Sequence, residues 1–150
     1  MSDRQTETDS SQTSAERPTL ILLVRHGLTP TTGKVLPGRA PGLHLSEKGL
    51  AQAERLAERF QGLAVDALYR MVEGIHRLRD RHPNQTVVCF SHADPIKVLL
   101  NHALGSHLDH FQRIAVDPCS VSAISYMPGQ APSVLRMNTT DGFLSDLLSD

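Results

Sequence analysis

The sequence has only two cysteines in 150 residues, no run rich in lysine or arginine, and no long apolar stretch. Each shortage removes a class of function. Crossing a bilayer as a helix takes about 20 consecutive apolar residues, so no membrane partner is expected. A net charge of −1 without a basic run leaves no electrostatic footprint for nucleic acid. Cys89 and Cys119 are far apart and in no metal-ligand spacing. Cys89 lies within the apolar stretch VVCF and reads as a buried free thiol. A reducing, cytoplasmic location fits such cysteines best. Residues 1–17, MSDRQTETDSSQTSAER, contain no Val, Ile, Leu or aromatic side chain. A segment of that kind cannot bury enough apolar surface to offset the entropy of ordering. It is expected to be a disordered tail, and it lacks the apolar centre of a secretory signal.

The remainder is ordinary for a globular chain, with 39% hydrophobic and 21% charged residues overall. Residues 18–140 suffice for one domain with a single core, and 141–150 read as a loose C-terminal tail. Residues 19–24 are continuously apolar, as in a strand buried on both faces. A loop rich in Gly and Pro follows. Ser46 can cap a helix whose apolar positions Leu50, Ala53, Ala57 and Phe60 have helical spacing and which Gly62 can end. Strands are predicted over 86–90, 121–126 and 134–137, the last two as an antiparallel pair across Pro128 and Gly129. A helix is predicted over 94–104, with Pro95 in its first turn. Two readings stay open for 65–82. Residues 65–69 form a short strand followed at once by a helix over 70–82, or Asp66 caps a single helix to His82.

Buried strands alternating with helices predict an α/β sandwich with a largely parallel sheet. Ligands bind such sheets beyond the carboxyl ends of the strands. That rule brings together two stretches, Arg25-His26 after the first strand and Ser91-His92-Ala93-Asp94 after the strand over 86–90. A neutral imidazole is a competent nucleophile near neutral pH. A guanidinium offers a planar fork suited to phosphoryl oxygens. Gly27 leaves room for the backbone to approach a phosphate, Thr29 adds a hydroxyl, and His92 can donate to charge that develops in the transition state. His44, His76, His82, His102, His107 and His110 read as ordinary polar residues, and no metal site is expected from them.

LVRHGLT, then GRAPGLHLSEKGLAQA, then VVCFSHADPIKVLL, resemble the histidine phosphatase superfamily in its phosphoglycerate mutase-like branch. The likeness runs over residues 20–69 and again over 70–138. It implies a three-layer α/β/α sandwich, a phosphorylated nucleophile at His26, and phosphate ligands at Arg25 and His92. It further implies a substrate-facing Arg39, a small phosphorylated substrate, and no metal or organic cofactor. It breaks between 69 and 70. There the family normally carries a long segment with a second phosphate-binding arginine and a glutamate that protonates the leaving group. Arg70 and Asp94 are the candidate replacements for arginine and acid, although Asp94 also suits a helix cap before Pro95. The sequence therefore predicts a phosphomonoesterase or phosphomutase with impaired turnover, or a non-catalytic remnant that keeps an anion pocket. Self-association through Leu63, Leu68 and Tyr69 is expected if the lost segment leaves apolar surface bare.

Overall fold

The computed structural model describes residues 17–35, 42–65, 67–70 and 74–148. The tail expected at the amino end, up to residue 16, lies outside them, as do Arg39, Asp66, Met71 and Val72. Along the chain come β1 (Thr19–Arg25), α1 (Glu47–Arg59), β2 (Ala67–Arg70), α2 (Ile75–Arg81), β3 (Thr86–Ser91), α3 (Ala93–Ala103), β4 (Val121–Tyr126) and β5 (Ser133–Thr139). Two short 3-10 helices, Leu108–Arg113 and Leu144–Leu148, complete the described elements.

The strands form one five-stranded sheet in the order β2-β3-β1-β4-β5. Its apolar strands are covered on both faces. Ile21 and Leu23 of β1 join Val87, Cys89 and Ile124 beneath Ile75 and Leu78 of α2 and Ile96 and Leu100 of α3. Leu20, Leu22 and Val24 join Val88, Val121 and Ala123 beneath Leu56 of α1, Leu63 and Leu144. The period-2 alternation of a strand explains why a continuous apolar run was needed in β1: each face meets its own helical layer.

The sheet is mixed, which corrects the largely parallel sheet predicted from sequence. β1, β2 and β3 run parallel, whereas β4 runs antiparallel to β1 and β5 antiparallel to β4. The cause is the path after α3. Asn101 Nδ2 donates to the Ser106 and His107 carbonyls, and Lys97 Nζ lies 3.2 Å from Gln112 Oε1. The chain thus travels back beside α3 to the carboxyl edge before β4 begins, so β4 must run the other way.

Three further expectations change. Residues Ala67–Arg70 pair in parallel with Val87–Phe90 of β3, so the strand reading holds and the single helix from Asp66 does not; α2 starts at Ile75, well after Arg70. Leu63 is buried in the core under α1, so it supplies no exposed patch. Leu144 is only 3% exposed, so the chain beyond residue 141 is packed against that core and is not a loose tail as far as residue 148. Among the described residues no helix is long and apolar enough to cross a membrane. Both cysteines are free and buried, and burial pushes the Cys89 thiol up to about 11.

The buried face of α1 is turned from the one its apolar spacing predicts. Leu50 is 54% exposed, whereas Gly49, Leu56 and Arg59 are buried. Gly49 sets this rotation, because a Cβ there would lie 2.0 Å from the Leu28 carbonyl oxygen. Within a helix, alanine normally outranks glycine by about 1 kcal/mol. Overpacking against a backbone atom costs about 1–3 kcal/mol and should win. Gly49→Ala is expected to lower stability by about 2 kcal/mol, read as a lower denaturant midpoint at unchanged slope. A higher midpoint would show that the Leu28 loop yields freely.

Candidate active site

β1 and β3 pair in parallel with Arg25 opposite Ser91. The next residues, His26 and His92, therefore leave the sheet side by side. The His26 N–H donates to the Ser91 carbonyl at 3.2 Å, which carries the pairing one step past the strands. The two rings meet edge to face, with centroids 4.9 Å apart and planes at 73°. His26 Nδ1 lies 2.8 Å from the Gly27 carbonyl oxygen. A carbonyl can only accept, so Nδ1 carries the proton and the neutral ring keeps its lone pair on Nε2.

Arg25 closes one side. Its Nη1 donates to the Val116 carbonyl, while its Nε is buried without a partner. A buried unpaired donor on a cation is costly, and an acceptor from a bound oxyanion would satisfy it. Its backbone is held from β4's approach: the Ser120 carbonyl accepts from Arg25 N, and Cys119 N donates to the Arg25 carbonyl.

The loop after His26 is fixed by α1. Ser46 caps that helix, its Oγ accepting from Gly49 N at 3.1 Å, and both Ser46 N and Ser46 Oγ donate to the Leu28 carbonyl. Gln52 Oε1 accepts from Leu28 N at 3.0 Å. Ser46, Gly49 and Gln52 recur every third residue, on one helix face; Ser46 and Gln52 hold the Leu28 carbonyl and N–H, and Gly49 between them lets the loop come close. Gly27 is required by the same packing. A Cβ on it would lie 2.8 Å from the Gly49 carbonyl oxygen and 3.2 Å from Cys119 Sγ. The repeat was visible in LSEKGLAQA, but its purpose needed the structure.

The other predicted residues are placed less tightly. Thr29 Oγ1 is engaged with Thr31 and Thr32 hydroxyls. Asp94 sits in the first turn of α3, its side chain 65% exposed and 4.0 Å from Lys97 Nζ. The α3 cap position belongs to His92, whose side chain makes no capping bond, so Asp94 is not the helix cap the sequence suggested. Arg70 ends β2 opposite Phe90, at the same sheet edge. Among the described residues no group of three or more His, Cys, Asp or Glu side chains could hold a metal ion. Of the outlying histidines, His107 lies 3.2 Å from the exposed Asp109 carboxylate.

Burial, then His26, then Arg25 hold His92 below its ordinary 6.5. The unfolded chain therefore binds more protons than the folded one between the two midpoints. This group's contribution to stability is complete above the unfolded value, about 6.5, and is lost as pH falls through the lower folded value. The His92 ring proton resonance is expected to titrate below 6.5. Arg25→Gln should move that midpoint upward by removing a nearby cation. An unmoved midpoint would place Arg25's charge elsewhere.

The family model of the histidine phosphatase superfamily (branch 1) matches residues 21–70 and 66–140. A phosphoserine phosphatase 1 of Hydrogenobacter thermophilus is 34% identical over 80 residues. That match takes in 53% of this chain and 37% of the relative, so the chain spans little more than a third of that protein's length. The fold is shared with a phosphoserine phosphatase from Entamoeba histolytica solved with phosphoserine, at 14% identity and TM-score 0.70, covering 82% of this chain and 98% of that one. An α-ribazole phosphatase from Shigella flexneri aligns at 16% identity and TM-score 0.69, over 81% of this chain and 97% of that one.

Proposed function

The chain belongs to the histidine phosphatase superfamily (branch 1), and from that membership we propose that it is a phosphomonoesterase of small phosphorylated metabolites, acting through a phosphohistidine on His26. The observation that carries this reading is the histidine pair. His26 lies edge to face with His92, its Nδ1 held by the Gly27 carbonyl so that in the neutral ring Nε2 carries the lone pair, and Arg25, the residue before it, has a buried Nε without a partner. Nε2 attacks phosphorus and the ester P–O bond breaks. Arg25 and His92 hold the phosphoryl oxygens, with Gly27, Thr29 and Arg39 shaping the substrate's approach. The departing oxygen takes a proton, for which Asp94 is the assigned donor. Water then attacks phosphorus, forming a P–O bond as the P–N bond breaks, gives its proton to Asp94 and releases inorganic phosphate and neutral His26. No metal or organic cofactor enters these steps.

Hydrolysis is favoured over mutase action. A mutase must shield its phosphohistidine from water, whereas His26 is only half-buried and the Asp94 side chain is 65% exposed. A second reading, an anion-binding remnant without turnover, is favoured by one observation. The family match comes in two pieces that meet at residues 66–70, where relatives normally carry the second arginine and the acidic glutamate. The two free, buried cysteines support a reducing cytoplasmic location.

The readings separate by leaving group. An aryl phosphate expels a stable phenolate and needs little protonation, while an alkyl phosphate needs an acid worth about 10²–10⁴ in rate. Aryl phosphates are expected to turn over, with an acid-labile adduct that disappears in His26→Ala. Alkyl phosphates should turn over more slowly than aryl phosphates, and Asp94→Asn should lower the alkyl activity by about a further 10²–10⁴ while sparing aryl phosphates. Fast alkyl turnover indifferent to Asp94→Asn would reject Asp94 as the acid. An adduct surviving His26→Ala would reject the nucleophile. Phosphate binding without any aryl turnover would establish the remnant.

A further inference from the structure

A cavity of about 250 Å³ opens between α1, the start of β4 and the end of β5, and the histidine pair does not line it. Gln52, Arg55, Arg59, Cys119 and Thr140 are in its wall, and among the described residues no carboxylate is. Arg55 and Arg59 are four residues apart on one helix face. Like charges at that spacing repel, so an unoccupied cavity leaves the pair destabilising. Among the described residues Arg55 has no carboxylate partner.

Arg59 is buried, at 7% exposure. Its Nε donates to the Gly142 carbonyl, its Nη1 to the Thr139 carbonyl and its Nη2 to Thr139 Oγ1, each at 3.0 Å. These acceptors are all neutral. A guanidinium has five N–H donors, so two remain. The carboxylate that acts on Arg59 is Asp141, which is exposed and lines a neighbouring cavity that Arg59 also borders, not this one. Gln52 gives its oxygen to Leu28 N, which leaves its amide N–H donors free. The wall is therefore rich in donors and positive charge and poor in acceptors.

We propose that this cavity is a second oxyanion site, separate from the histidine pair, in which Arg55, Arg59 and Gln52 bind the phosphate group of a small metabolite. A paired guanidinium fork matches phosphate oxygens in geometry and charge. The site is wired to the catalytic loop by direct contact. Gln52 holds Leu28 N with its other end, and Cys119 both packs on Gly27 and donates its N–H to the Arg25 carbonyl. An anion that draws Gln52 or Cys119 toward itself therefore acts on the segment that carries His26.

Titration of the full chain with inorganic phosphate tests this, without relying on turnover. In the His26→Ala/His92→Ala chain, calorimetry is expected to find one remaining phosphate site, weakened about tenfold or more by Arg55→Gln, as for loss of a charge-assisted hydrogen bond. In the unmodified chain, phosphate should shift the amide resonances of Arg55, Cys119 and Thr140. Arg55→Gln should remove those shifts while leaving the response of the His92 ring to phosphate. No binding to the double-histidine variant, or unchanged binding after Arg55→Gln, overturns the proposal. If the double variant does not fold, the amide shifts decide: movement at Arg55 and Thr140 upholds the site and its absence overturns it. A silent His92 ring with responsive Arg55 and Thr140 would instead count against the proposed function and leave this site standing.

Discussion

The parallel pairing of β1 with β3 is the constraint on which the site depends. With Arg25 opposite Ser91, the sheet fixes where two loops begin and hands over His26 and His92 at adjacent positions. The bond from His26 N to the Ser91 carbonyl extends that register beyond the last paired residues. A slip of one residue would turn every β1 side chain to the opposite face. Leu20, Leu22 and Val24 would then face α2 and α3, and Ile21 and Leu23 would face α1. Both faces are apolar, so burial alone tolerates such a slip better than it would in a half-exposed strand. The loops resist it, because Arg25 is also tied to Cys119 and Ser120 on the other side.

Strand pairing fixes where His26 starts, but not the course of the chain after it. That falls to α1, which grips the Leu28 peptide by its N–H and its carbonyl and comes close enough to Gly27 and Leu28 that neither Gly27 nor Gly49 has room for a Cβ. The helix is thereby rotated so that Leu50 faces solvent. Its apolar spacing and its contact with the loop give conflicting instructions. The loop contact prevails because it satisfies two Leu28 groups, the N–H and the carbonyl; leaving each unpaired costs about 1–3 kcal/mol, together more than the gain from burying one leucine, about 1.5–3 kcal/mol.

Much of this was legible in the sequence. Continuous apolar runs identified β1 and β3, Ser46 marked the start of α1, and the rule for α/β sheets brought Arg25, His26 and His92 to one edge. The directions of β4 and β5 were not legible, because nothing local records that the chain returns beside α3 before β4. The choice between strand and helix at Ala67–Arg70 needed the tertiary partner, since a four-residue strand pairing with β3 leaves little periodicity to read. Leu144 was missed because the segment DGFLSDLLSD is too short to show a helical or strand period, although it carries four apolar side chains. Gln52 was quoted within a motif but not understood, since its role is a single bond to a peptide 24 positions away.

The rigid and the open parts of the site serve different demands. Arg25 and His26 issue directly from β1 and are tied by backbone bonds to β3 and to the segment before β4. Holding an anion needs little more than donors fixed in this way, because binding rewards groups already in place. Protonating a leaving group is harder. It requires an acid at the right distance in a setting that keeps its proton until the bond breaks. Asp94, the candidate that stands nearest in the chain to His92, lies on an exposed helical turn, 4.0 Å from Lys97 Nζ. Anion binding and alkyl-ester turnover therefore draw on different parts of the structure. The first is secured by the sheet and α1, while the second depends on Asp94 meeting the departing oxygen from the exposed first turn of α3.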